Sequence, residues 1–171
     1  MTYNIHPIFV HFPIALLFLY SFVKILPFKR WFPRVAWKDI ERALLLVGVL
    51  GAFAALATGE TAEHLVGPNR ELVNMHSTFA TLATWLYGAL LVGEILSVIN
   101  PIFLPKISSP GVTKFAQALE KLLCNNGFSK LLAFCALIAI FVTGLLGGVM
   151  VYGTTADPLA PTVLSILGIT L

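Results

Sequence analysis

The chain has 171 residues, of which 58% are hydrophobic and only 11% charged, with a formal net charge of +3 and a mean hydropathy of +0.90. A soluble domain carries about a quarter charged residues, so a water-soluble enzyme and a nucleic-acid-binding domain are both excluded. The expected partner is the lipid bilayer, and the expected architecture is one all-α transmembrane domain over residues 1–171.

No basic region or small-residue cleavage site opens the chain, so no removable leader is expected. The first span is expected from about Pro7 to Leu26, entered through His6-Pro7-Ile8-Phe9-Val10-His11-Phe12-Pro13. A crossing helix needs about 20 residues, which this run supplies only with its proline-containing entrance. Pro7 suits a first helical turn, where its missing donor costs nothing. Pro13 lies deeper and would free the Phe9 carbonyl and kink the helix. Two forms stay open: a helix kinked at Pro13, or a helix from Phe12 after an extended lead-in over His6 to His11.

The first loop and its flanks carry Lys24, Lys29, Arg30, Arg34, Lys38 and Arg42 against Asp39 and Glu41, with Trp31 and Trp37 at headgroup level. Such a loop is cytoplasmic, which puts the amino terminus outside. The second span runs from about Ile40 to Thr58. Gly48, Ala52, Ala55 and Gly59 give it a face without bulk, suited to close helix packing or, more boldly, to a flat cofactor. The second loop holds Glu60, Glu63 and Glu71 against Arg70 and is expected outside. Residues 60–65 can extend span two, and Gly67-Pro68-Asn69 reads as the turn.

The third span runs from about His76 to Ile99, with Asn100-Pro101 as its stop. Tyr87 reads as a packed aromatic with a satisfied hydroxyl, and Glu94 as a side chain reaching toward the cytoplasmic interface. The third loop carries Lys106, Lys114, Lys121 and Lys130 against Glu120 and is cytoplasmic by the same rule. Within it Val112, Phe115, Leu119 and Leu122 recur at helical spacing, as in a short amphipathic helix on the membrane surface. The fourth span runs from about Leu131 to Val151, with Gly144 and Gly148 as a packing face and Gly147 beside it. The tail is then outside, and residues 163–171, apolar but too few to span, would lie against the bundle or the interface. Cys124 and Cys135 form no metal-spacing motif.

With this topology all four histidines reach the outer side. His6 and His11 stand at the entrance of span one, His64 follows span two, and His76 opens span three. At about 100° per residue, His6 and His11 lie about 140° apart, so one regular helical face cannot present both. Imidazole is costly in lipid and needs a partner. In an up-down bundle spans one and three can face each other across the core, which makes His11 and His76 the expected inner pair and His6 and His64 the outer pair. Three chemistries fit: axial ligation of a b-type haem, a zinc or copper site completed by Glu60 or Glu63, or hydrogen bonds to carbonyls freed by the prolines. Ala52, Ala55, Ala80 and Ala83 would leave room for a porphyrin, with Phe9, Phe12, Phe18 and Phe79 as its walls. Cys-x-x-Cys-His and His-Glu-x-x-His are absent, which argues against covalent haem and a helical zinc-protease site.

The opening His6-Pro7-Ile8-Phe9-Val10-His11-Phe12-Pro13-Ile14 resembles the signature of a bacterial four-helix membrane family, domain of unknown function 2231. The likeness extends to Thr58-Gly59, His76, Gly147-Gly148 and Val151-Tyr152. The chain departs from it after Tyr152, where relatives tend to continue with a His-Gly-Val-Gly type ending and this chain has Gly153-Thr154-Thr155. If that histidine is a ligand in relatives, this chain lacks it. Some relatives are fused to Rieske-type domains or found with redox proteins, so the resemblance implies a redox neighbourhood. The expectation is an all-α, integral membrane four-helix up-down bundle of the bacterial inner membrane. Both termini lie outside, and short interfacial helices occupy the cytoplasmic loops. Its expected function is b-type haem-binding electron transfer with a quinol or a redox protein as partner, through His11, His76, His6 and His64. The alternative is a non-catalytic membrane subunit or a copper or zinc scaffold with structural histidines.

Overall fold

The computed structural model describes residues 6–66, 69–102, 109–155 and 157–169, with the side chains of residues 7, 8, 60–66 and 102 excepted. Every regular element among them is a helix: α1 His6–Ile25, α2 Phe28–Trp31, α3 Trp37–Val66, α4 Arg70–Ile102, α5 Pro110–Leu123, α6 Asn126–Tyr152 and α7 Ala160–Leu167. Three have the length and apolar composition to cross a membrane, over Trp37–Gly59, Arg70–Pro101 and Asn126–Tyr152, and α1 adds the shorter apolar stretch Phe9–Ile25.

The long helices overrun the expected spans. α1 begins at His6 and runs unbroken through Pro13, so an extended lead-in is not formed. α3 continues past Thr58 to Val66, and α4 starts at Arg70, which sets His76 more than a turn inside it. α6 starts at Asn126, where the Asn125 side chain accepts from the amides of Gly127 and Phe128. That cap satisfies donors that a helix start otherwise leaves unpaired.

α1 packs on α3, α3 on α4, α4 on α6, and α6 back on α1. Neighbours run antiparallel, as the pairing positions show. Along α1 and α3, His6 lies over Gly59, Pro13 over Gly51 and Leu17 over Gly48. A Cβ on Gly48 would come within 2.6 Å of Leu17, and one on Gly51 within 3.0 Å of Pro13. The bulk-free face of α3 is therefore spent on close packing. Ala83 lies in the core with Leu17, Tyr20, Leu45, Tyr87 and Leu90, and Ala52 packs against that core.

On α6 the packing glycine is Gly147. A Cβ added at Gly144 or Gly148 would meet nothing within 4 Å among the described residues, so the close approach is at Gly147 and not on the face expected from their spacing. At the core's centre the Tyr87 hydroxyl pairs with Ser21 Oγ at 2.7 Å, and Ser21 donates to the Ala133 carbonyl. This is the packed, satisfied tyrosine that the sequence suggested.

The end of the molecule that carries α2 and α5 is charged. Glu41 is 2% exposed, with Lys29 Nζ at 2.8 Å and Lys24 Nζ at 3.5 Å. Glu94 takes Arg42 at 3.0 Å. It lies toward the charged end, as expected, and is paired there with a residue of α3. α5 docks on α4 through Ala116 and Leu123, and buried Asn100 donates to the Ala116 carbonyl and to Glu120. Val112, Phe115 and Leu122 face outward, so the docked edge and the apolar stripe are different sides of one helix. At the opposite end α7 lays Ala160 and Leu164 against Leu72, Leu145, Leu146 and Val149. The apolar tail thus lies on α4 and α6.

Candidate functional site at the histidine end

His6 opens α1, and its half-buried ring rests on Gly59 of α3, where a Cβ would stand 3.4 Å from Cε1. Its Nδ1 is 3.0 Å from Thr58 Oγ1. The Thr58 hydroxyl already donates its hydrogen to the Ala55 carbonyl at 3.0 Å. The network therefore assigns the His6 proton to Nδ1, which donates toward Thr58 Oγ1, with the Ala55 carbonyl also engaging the ring. Burial holds the His6 pKa below its ordinary 6.5, and the Ala55 contact opposes that only in part.

His76 is built the same way on the other pair of helices. Its Nδ1 is 3.0 Å from the Thr143 carbonyl, which can only accept, so Nδ1 carries the proton. The ring lies on Gly147, where a Cβ would stand 3.3 Å from Cε1. Thr143 turns its own hydroxyl back to Ala139, which removes it from competition for the ring. In both histidines Nδ1 is set against a neighbouring helix, His6 toward the Thr58 hydroxyl and His76 toward the Thr143 carbonyl. A carbonyl or hydroxyl on one ring nitrogen is the usual way of fixing the tautomer of a metal-ligating histidine.

His11 lies on the exposed side of α1. Of the two histidines of α1, His6 is the half-buried one that meets α3. His64, Glu60 and Glu63 lie outside the described side chains. Phe9, Phe12 and Phe18 are 42%, 60% and 40% exposed. Phe79 does pack inward. Among the described residues no group of three or more His, Cys, Asp or Glu is placed to hold a metal ion. Reasoning from sequence missed the seats, Thr58 with Gly59 and Thr143 with Gly147. A signal for His6 was present: it falls seven residues before Pro13, on the stripe that continues through Leu17 and Tyr20, and a seven-residue step returns to nearly the same helical face.

The family model for a predicted membrane protein, DUF2231, matches residues 2–157. No curated protein and no solved structure matches the chain.

Proposed function

The chain belongs to the DUF2231 family of predicted membrane proteins, and from that premise we propose that it is a four-span redox subunit holding a b-type haem between His6 and His76. In this reading α1, α3, α4 and α6 all cross the bacterial inner membrane. The basic loops 24–42 and 106–130 lie in the cytoplasm, and both termini and the histidine end lie outside. The chain is one domain.

The observation that carries the reading is the shared setting of the two histidines. Each sets Nδ1 against a facing helix, His6 at 3.0 Å from Thr58 Oγ1 and His76 at 3.0 Å from the Thr143 carbonyl. Ligand number favours haem over a bare ion. Haem iron needs two protein ligands, whereas a zinc site needs about four, or three with an open position. When bound, haem supplies a one-electron couple. The chain's own residues orient the imidazoles. A quinol or a membrane redox protein is the partner on the donor side.

One observation favours a second reading. Both rings are seated closely on glycines, which suits a compact copper or zinc ion completed by His64, Glu60 or Glu63. His11 stands apart from both readings on the exposed side of α1. Absorption of the purified protein, oxidised and dithionite-reduced, together with metal analysis, tests the two readings. A split α/β region with iron supports haem. Copper or zinc without a Soret band supports the ion.

A further inference from the structure

The segment between α1 and α3 forms an open hollow of about 320 Å³ lined by Lys29, Pro33, Val35, Ala36, Trp37 and Lys38. We propose that this hollow binds the phosphate of an anionic phospholipid, with Lys29 and Lys38 on the charge and Trp37 beside the glycerol backbone. The proposal rests on the reading of the chain as a four-span membrane protein, and it is independent of the haem.

Position and charge carry it. The hollow lies where α1 has just ended at Ile25 and the membrane-length run Trp37–Gly59 begins, which is headgroup depth. Trp31, Phe32 and Val35 are exposed around it, and aromatic side chains at such a level sit in the interface. Its rigidity comes from an aromatic stack: Phe28 on Trp37 at 5.3 Å, Phe28 against Trp31 at 5.4 Å, and the Trp37 indole N–H donated to the Phe32 carbonyl at 2.8 Å. The charge is unbalanced. Lys29, Arg30, Arg34 and Lys38 face Asp39 and Glu41, and Glu41 is buried between Lys24 and Lys29. One carboxylate shared by two ammonium groups leaves a positive excess at the rim. The hollow itself joins ammonium groups to an apolar wall, the combination a phosphodiester above acyl chains requires.

The test uses the full chain in detergent and reads bound lipid by native mass spectrometry. Dioleoylphosphatidylglycerol, dioleoylphosphatidylcholine and inorganic phosphate are titrated separately, with Lys38→Gln, Lys29→Gln and, as a control on α5, Lys114→Gln. Lys29→Gln also leaves Glu41 with Lys24 alone, so Lys38→Gln is the primary variant, and cooperative thermal unfolding verifies its fold. The expected result is phosphatidylglycerol retained in preference to phosphatidylcholine, weakened about fivefold by Lys38→Gln, as one lysine near an anionic surface implies, and unaffected by Lys114→Gln. Equal retention of both lipids overturns the proposal. So does equal weakening by Lys38→Gln and Lys114→Gln, which would mark a general basic surface. Displacement of the lipid by millimolar inorganic phosphate would assign the hollow to free anions and overturn the lipid assignment. Recovery of the protein in the membrane fraction tests the four-span reading separately.

Discussion

Residue by residue, the histidine end depends on two glycines and two threonines more than on the imidazoles' own positions. Gly147 is where the His76 ring lies, and a Cβ added at Gly148, one residue on, would meet nothing within 4 Å among the described residues. Gly147→Val is therefore expected to push the ring off its seat and cost about 1–3 kcal/mol, as overpacking does. Gly148→Ala should be neutral or slightly stabilising, because alanine is the better helix former by about 1 kcal/mol. Thermal unfolding of both variants in detergent checks the contrast, and equal losses would mean that His76 is not seated on Gly147. His6 yields a pH prediction. Its folded pKa lies below 6.5, so the unfolded chain takes up the proton first as pH falls. The stabilising contribution is present above about 6.5 and fades as the pH drops from there through the folded value. His6→Gln should flatten this part of the stability profile between pH 7.5 and 5. An unchanged slope would show that His6 is not buried neutral.

The elements divide into those that sequence patterns locate and those that only packing defines. Spans two, three and four were legible from apolar length and basic loops, because bilayer thickness sets a length that sequence can be read against. The extension of span two over residues 60–65 was legible too, but the start of span three was not, since Arg70 to Met75 are helical though polar in part. The facing of α1 was open at the same level: periodicity gives the angle between His6 and His11 but not which one turns inward. That choice is made by Gly48, Gly51 and Gly59, residues of another helix. The salt bridges of Glu41 escaped for a similar reason, as they require the turn after α1 to fold Lys29 back onto α3. α5 offers a test of packing at this scale. A Cβ on Gly93 would come within 2.8 Å of Leu123 Cβ, and Cys124 Sγ lies 3.3 Å from the Gly93 carbonyl. Gly93→Ala should displace α5 from α4. Burial also holds the Cys124 thiol pKa above its ordinary range, which slows its reaction. Alkylation of Cys124 should then speed up in Gly93→Ala, and an unchanged rate would show that α5 is not held there.

The whole molecule has two unlike ends. One carries His6 and His76 with their seats and the α7 cover, and the other carries the lysines, Glu41, Glu94 and α5. The excess of basic residues at the second end predicts that it is cytoplasmic. In a background lacking Cys124 and Cys135, a membrane-impermeant thiol reagent added outside should label Asn69→Cys and leave Phe32→Cys untouched. The reverse pattern would turn the molecule over and put the histidines inside. In the proposed reading, a haem at the histidine end would serve a partner on that face. The most direct measurement is the visible spectrum of detergent-purified protein, expressed with ample haem, for the wild type, His6→Ala, His76→Ala and His11→Ala. The account predicts a sharp Soret band and a split α/β region on reduction, both lost or turned high-spin in His6→Ala and in His76→Ala, and both retained in His11→Ala. A colourless wild type, or loss of the signal in His11→Ala with retention in His6→Ala, would contradict it.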